Sequence, residues 1–477
     1  MGAAAAHVLV FPMPMQGHIN VMLHLAATLA AAAGVHVTIL HTDHNLRRLR
    51  NAAAATTADS PRLRFLSVPD GLPDDHPRSA SDILEIVDSL GTAGRAAYRA
   101  LLGSLLVGSA GGGGFPPVTS VVGDALLTFA IDVAEELGVP ALAFRTASAS
   151  SLLAYLSVPR LFELGELPFP PGGDLDEPVR GVPGMEGFLR RRDLPSTFRR
   201  QGDDHDVHPK LQILLDLTTG SCKARAVILN TAVSLEGPVL AHIAPRVRDV
   251  FAIGPLHAIS PAPAASLWRE DDGCMAWLDG QADRSVVYVS LGSLTVISLE
   301  QFTEFLSGLV AAGYPFLWVL RPDIIVASQS TTNLQEAVTA AAGDSKARVV
   351  GWAPQRDVLR HRAVGCFLTH AGWNSTLEAA VEGVPTVCWP FFVDQQINSR
   401  FVGAVWRTGL DMKDVCDAAV VERMVTEAME SGEIREKAQA LAEKVRQDVG
   451  DGGSSATELK RLVGFLRELA TRNEHAN

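Results

Sequence analysis

Short runs of β-branched and aromatic residues alternate along this chain with longer Ala/Leu-rich stretches. HVLVF at 7–11 is followed by a helical pattern from about Asn20 to Ala33 and then by VHVTIL at 35–40. Strand, helix, strand in that order is a crossover unit, which lays the strands parallel and covers both faces of the sheet with helices. VTSVVGD (118–124), ALAF (141–144) and AVILN (226–230) extend the same sheet. The alternation breaks at a Pro/Ala-rich stretch, 255–265, which has the composition of a linker. It resumes with SVVYVSLGS (285–293), FLWVL (316–320), ARVVGW (347–352), CFLTH (366–370) and TVCW (386–389). The expected fold class is therefore α/β, with two doubly wound, Rossmann-like domains: one over 1–250, a linker over 251–270, and a second from 271 onward. The Gly run 111–114 and the stretch 169–200 are expected to be loops of the first domain that face substrate.

With 477 residues the chain can form two or three sizeable cores, and 47 % hydrophobic with 20 % charged residues is ordinary globular composition. The formal charge of −12 makes nucleic acid and anionic membrane surfaces poor partners. Five cysteines, Cys222, Cys274, Cys366, Cys388 and Cys416, are too scattered for a disulfide framework, so a reducing, cytoplasmic setting is expected. The first fifteen residues lack the positive region of a signal peptide, and Ala6 breaks the myristoylation pattern that Gly2 opens. No apolar stretch approaches the roughly 20 residues of a transmembrane helix.

The most informative segment is WAPQRDVLRHRAVGCFLTHAGWNSTLEAAVEGVPTVCWPFFVDQQ, Trp352 to Gln395. A strand ending at His370 turns through Ala371 and Gly372 into a helix, and a helix N-terminus presents free N–H groups and a positive dipole end to phosphate. Ser375-Thr-Leu-Glu378 also spells a capping box, with Ser on the third amide and Glu reaching back. His370 can place a donor or a positive charge beside a pyrophosphate, and the Trp352 indole offers a flat face to a nucleobase. Asp394 and Gln395 supply acceptors and donors for sugar hydroxyls, the Gln amide serving two at once. All of these residues fall at the carboxyl ends of strands, where open α/β sheets bind ligands.

In the first domain, His18 lies in PMPMQGHIN, just before the first helix, and Asp124 ends the VVGD strand. A carboxylate there can hold an imidazole N–H and stabilise the imidazolium formed on proton uptake.

The segment 352–395 resembles, nearly throughout, the signature box of plant secondary-product UDP-glycosyltransferases, inverting enzymes of the GT-B fold. PxPxQGHIN and VVGD are similar to that family's catalytic base and its partner aspartate. The resemblance, which runs from the first strand to the GGSSATELKRLVGFL tail, implies two domains facing a cleft. It also implies that the second domain ends at 459 and that a helix over 460–477 returns to the first. By the same resemblance Trp352 stacks on uracil, the Ala353 backbone bonds its edge, and Gln355 and Glu378 hold the ribose. His370, Asn374, Ser375 and Ser293 contact the phosphates. Thr146, Trp373 through its backbone, Asp394 and Gln395 hold the sugar; Gln at 395 goes with UDP-glucose. The implied function is metal-independent transfer of glucose from UDP-glucose to a hydroxyl or carboxyl of a small plant-type metabolite, with no cofactor beyond that co-substrate. Val21 after GHIN, Met13 and Met15 depart from the family's commoner residues and bear on the acceptor rather than the reaction.

Other signals carry less weight. Asp174-Leu-Asp176 spells a DxD metal motif but sits in a Gly/Pro-rich loop. His205-Asp206-Val-His208 and His41-Thr-Asp43-His44 lack the two-His spacing of one helical face, and the latter reads as a loop and N-cap. The cluster Arg190–Arg192 with Arg199 and Arg200 suits an acidic acceptor or a solvated face; it resembles faintly the iridoid-acid branch of the family. A Rossmann oxidoreductase is disfavoured because no G-x-G-x-x-G follows the first strand. A non-catalytic sugar-nucleotide binding protein is disfavoured by the presence of both His18 and Asp124.

Overall fold

The computed structural model describes residues 5–52, 60–78, 82–107, 114–169, 173–199, 209–260, 267–325, 331–343 and 345–476. The chain divides into two compact units, one of Met1–Leu156, Gln212–Leu267 and Gln447–Asn477, the other of Ser157–Leu211 and Trp268–Arg446.

Among the described residues the first unit holds seven parallel strands: β1 (Ala6–Phe11), β2 (Val35–Thr42), β3 (Leu63–Val68), β4 (Ser120–Asp124), β5 (Ala141–Arg145), β6 (Val227–Leu229) and β7 (Val250–Ala252). Their order is β3-β2-β1-β4-β5-β6-β7. The sequence reverses direction across the sheet between β1 and β4, which pair in register from Val8↔Ser120 to Phe11↔Gly123. Val8, Val10, Val37, Val122 and Ile228 are fully buried, so these strands read as apolar runs because helices cover both faces. Leu462, Leu466, Leu469 and Ala470 of the final helix, Ser454–Ala476, complete this core. The portion of chain returning to the first unit thus starts at Gln447, ahead of 460.

The second unit holds six parallel strands among the described residues: β8 (Val286–Ser290), β9 (Phe316–Val319), β10 (Ala347–Val350), β11 (Val364–Thr369), β12 (Thr386–Cys388) and β13 (Gly409–Asp411). The order β10-β9-β8-β11-β12-β13 reverses between β8 and β11, with Thr369 opposite Ser290. Both sheets are doubly wound, as the alternation predicts.

One assignment is corrected. Residues 157–211, which include the stretch 169–200 expected as a loop of the first domain, group with the second unit. Asp193, fully buried, accepts Arg190 Nε at 3.0 Å and Lys413 Nζ at 2.8 Å, with Arg400 Nε at 3.4 Å. Arg199 pairs with Asp414 at 3.1 Å, and Phe188 packs edge-on against Phe401. The segment 173–199 is fastened by charge to the region around β13 rather than left as a loop for substrate. Of the Gly run 111–114, only Gly114 is among the described residues, and His205, Asp206, His208, Arg200 and 261–266 lie outside them.

Candidate active site

The point where strand order reverses in a doubly wound sheet leaves a crevice at the strands' carboxyl ends, because the helices leaving the two strands go to opposite faces. In the first unit that point is β1/β4. The turn after β1 carries His18 and the end of β4 is Asp124, so topology alone brings two groups 106 positions apart together. His18 Nδ1 lies 2.7 Å from Asp124 Oδ2. Asp124 is 1 % exposed and His18 19 %, which keeps the carboxylate out of water and the imidazole within reach of it. The Leu126 amide donates to Asp124 Oδ1 at 3.0 Å and the Met13 amide to Oδ2 at 3.3 Å, fixing the carboxylate. With Nδ1 on the aspartate, Nε2 is the ring nitrogen left to take a proton. Thr146, directly after β5, brings its Oγ1 within 3.2 Å of His18 Nδ1.

The helix that bears His18 starts at Gln16, four residues ahead of the expected Asn20. His18 therefore sits in the first helical turn, its amide bonded to the Met15 carbonyl at 3.0 Å, and is held more firmly than a loop residue. The second His-containing motif is structural. His41, the penultimate residue of β2, stacks on Phe65 with centroids 6.0 Å apart, and burial pushes its pKa down to about 4. Thr42 caps the next helix by accepting from the Asn45 amide at 3.2 Å.

In the second unit the reversal at β8/β11 sets the Leu291–Thr295 turn, with Ser293, beside His370. The fit is close: a Cβ on Gly292 or on Gly372 would lie 2.4 Å from the His370 ring, so both positions must be glycine. Gly292, at φ +73°, also needs glycine's freedom. Ala371 takes φ +60°, a strained value for a residue with a Cβ, and the Asn398 amide secures its carbonyl at 2.9 Å. Sequence reasoning missed Asn398; its spacing of four from Asp394, whose Oδ2 it also contacts at 3.0 Å, was the available signal.

The helix Trp373–Glu382 has Gly372 as its N-cap, and its first intrahelical amide bond is Thr376 to Gly372, 2.9 Å. The amides of Trp373, Asn374 and Ser375 thus lie in the first turn, at the positive end of the helix dipole. This corrects the capping-box reading. Ser375 lies inside the helix, and its Oγ accepts from Gln355 Nε2 at 2.9 Å, while the same nitrogen donates to Glu378 Oε2 at 2.6 Å. Tyr288 of β8 donates to Gln355 Oε1 at 3.2 Å. Gln355, Ser375 and Glu378 form one polar cluster at the carboxyl edge. Burial pushes the Glu378 carboxyl up to about 7. Trp352 and the buried Ala353 precede Pro354, the N-cap of the helix Gln355–Arg360, and Trp352 stacks on Trp268 with centroids 5.9 Å apart.

Two expectations about charge and donors change. His370 is held neutral: burial, aided by the Arg321 charge, pushes its pKa down to about 4. It can donate or accept but carries no charge near pH 7. Gln395 Oε1 accepts the amides of Phe391 at 2.8 Å and Phe392 at 3.1 Å, leaving only its NH2 for a ligand. Asp394 caps the helix Gln395–Arg400, and Trp373, 4 % exposed, packs its ring against Trp406. A buried indole leaves its backbone as the group available to a ligand.

The remaining candidates are otherwise engaged. Asp176 bridges Arg190 and Arg192, each at 2.8 Å, and Asp174 accepts the Asp176 amide. Arg191 pairs with Glu177, and Arg192 also approaches Asp414. The arginine cluster is matched by carboxylates of its own unit.

Residues 214–441 match the family model UDP-glucoronosyl and UDP-glucosyl transferase. A myricetin 3-O-rhamnoside 1,2-glucosyltransferase of Crocosmia x crocosmiiflora is 43 % identical, the alignment covering 98 % of this chain and 97 % of that one. A 7-deoxyloganetic acid glucosyltransferase of Catharanthus roseus is 42 % identical, covering 98 % of each. The solved structure of Os79 from O. sativa in complex with UDP superposes with a TM-score of 0.77 at 27 % identity, over 96 % of this chain and 100 % of that one.

Proposed function

The chain belongs to the UDP-glucosyl transferase family of plants, near the 7-deoxyloganetic acid glucosyltransferases, and as a UDP-glucosyltransferase of small metabolites it must hold a nucleotide sugar and activate an acceptor; we propose that it divides these tasks between its two switch points. The donor half-site is in the second unit. Trp352 stacks on uracil, with the Ala353 backbone at the base edge, and Gln355 with Glu378 holds the ribose hydroxyls. Ser293, neutral His370 and the first-turn amides of Asn374 and Ser375, at the positive end of the helix dipole, receive the diphosphate. Asp394 accepts from glucose hydroxyls, while Gln395, its oxygen occupied, donates through its NH2. Trp373 contributes its backbone.

The acceptor half-site is at β1/β4. His18 Nε2 takes the proton of an acceptor hydroxyl as the oxygen attacks the anomeric carbon. The bond from that carbon to the diphosphate oxygen breaks, its electron pair leaves with UDP, and a single displacement turns an α donor into a β-glucoside. Asp124 stabilises the imidazolium. Helix amides and His370 meet the leaving charge with fixed dipoles, the task a divalent ion performs elsewhere, so transfer is metal-independent. The acceptor is a small metabolite with a hydroxyl or carboxyl oxygen, in line with relatives named for a flavonol rhamnoside and an iridoid acid. A cytoplasmic setting suits five cysteines that are all unpaired. Among the described residues no helix is long and apolar enough to cross a membrane.

The His18–Asp124 pair carries this reading, since a protein that only bound sugar nucleotides would have no use for a buried carboxylate aimed at an imidazole. The test is a panel of phenols, terpenoid alcohols and carboxylic acids incubated with equal UDP-glucose, UDP-galactose and UDP-xylose, with products read by mass spectrometry. Glucosides should dominate. UDP binding without transfer to any acceptor would contradict the proposal, and predominant galactoside or xyloside would remove Gln395 from donor choice.

A further inference from the structure

Arg321, two residues after β9, is 0 % exposed, and no step of the transfer described above uses it. All three of its guanidinium nitrogens are engaged. Nε donates to Asp323 Oδ1 at 3.0 Å, Nη1 to the Gly292 carbonyl, and Nη2 to the Thr295 carbonyl at 2.8 Å. One cation thus grips the turn that carries Ser293 at two points, on either side of that residue.

Burying a guanidinium is expensive unless it is fully bonded, and this one is bonded to one carboxylate and two backbone carbonyls. In a trans peptide the C=O and the N–H of the next residue point in opposite directions across one plane. With the Gly292 oxygen drawn onto Arg321, the Ser293 N–H is turned the other way. The same pull keeps an oxygen dipole from facing an anion. Gly292 is also the residue whose Cα abuts the His370 ring, so the plane that Arg321 orients borders the imidazole assigned to the diphosphate.

We propose that Arg321 is a positioning residue for the nucleoside diphosphate: by holding the Gly292 and Thr295 carbonyls it aims the Ser293 amide at the phosphates and lends the turn a positive charge from beneath. This rests on the donor half-site described above. Lysine retains the charge but lacks the planar fork that reaches two carbonyls together. Arg321→Lys should therefore bind UDP at least tenfold more weakly, bind uridine within twofold of wild type, and raise the KM for UDP-glucose more than the KM for the acceptor.

Calorimetric titration with UDP and with uridine reads this directly. Equal losses for both ligands would reduce Arg321 to a general support of the fold and overturn the inference, as would an unchanged UDP affinity. Should Arg321→Lys fail to fold, Asp323→Asn keeps the guanidinium and removes its counter-charge at a half-exposed position. It should bind UDP at least as tightly as wild type with uridine unchanged, and weaker UDP binding would overturn the inference. His370→Ala separates the two levels: wild-type UDP affinity in it removes the diphosphate site itself, whereas a loss there with an unaltered UDP-to-uridine ratio in Arg321→Lys removes only the role of Arg321.

Discussion

At the scale of single residues, burial decides which protonation states the site can use. Glu378 is pushed up to about 7, whereas a carboxylate that accepts ribose hydroxyls binds best when ionised. As the pH falls from 8 to 6 the ionised fraction drops about tenfold, so the KM for UDP-glucose should rise by about that factor. His370, near 4, stays neutral over the same range and adds no slope. UDP-glucose is the right probe because both of its phosphates are esterified. Glu378→Gln should start from a higher KM and stay flat; a flat profile in the wild type would show that Glu378 does not meet the ribose. Asp124→Ala should lower kcat less than loss of His18 does, since an imidazole without its partner still accepts a proton, and kcat ratios for one hydroxyl acceptor check this. His18, Asp124, His370, Asp394 and Gln395 could be singled out in the sequence because each combines a polar type with an expected strand end, whereas Ala353 and Gln355 came only through the family resemblance. The charge state of His370, the occupied oxygen of Gln395 and the placement of Ser375 inside its helix were not legible. The first follows from burial and Arg321, the second from the backbone amides of Phe391 and Phe392, and the third from where the helix begins, at Trp373.

Elements show a similar division. The strands that pattern reading missed, β3, β7 and β13, all lie at sheet edges. β3 is half-exposed along most of its length, and β7 and β13 are three residues each. An edge strand packs less of its surface and so leaves a weaker apolar signature. The segment 173–199 was misassigned for another reason: what docks it is a buried charge, Asp193, whose partners Arg400 and Lys413 are more than two hundred positions away. Their cations and Arg190 hold the Asp193 carboxyl below its ordinary value against the cost of burial. Because the native pKa is depressed, its stabilising contribution is present above the ordinary carboxylate value and is lost as the pH falls below it. Asp193→Ala leaves the buried Lys413 with Asp411 as its one remaining carboxylate and should cost about 3 kcal/mol. Urea unfolding should show that deficit unchanged from pH 8 to pH 5, and a deficit under about 1 kcal/mol would mean that the network contributes little.

In the molecule as a whole, each sheet gathers polar residues at its own switch point: the topology that brings His18 to Asp124 also sets the turn bearing Ser293 beside His370. The doubly wound class of both sheets followed from the alternation of strands and helices, whereas Ser293 entered only through the family resemblance. On the proposed reading, in which helix amides, His370 and the turn held by Arg321 meet the charge on the departing diphosphate, EDTA should leave turnover within about twofold; complete loss restored by Mg²⁺ or Mn²⁺ would require a cation in the donor half-site. The most direct measurement follows one acceptor glucosylated from UDP-glucose by wild type and by His18→Ala, with the anomeric configuration read by NMR and UDP affinity measured in parallel. The account requires a β-glucoside from the wild type, and no product from the variant despite UDP binding within twofold. An α-glucoside, or turnover by His18→Ala at the wild-type rate, would contradict it.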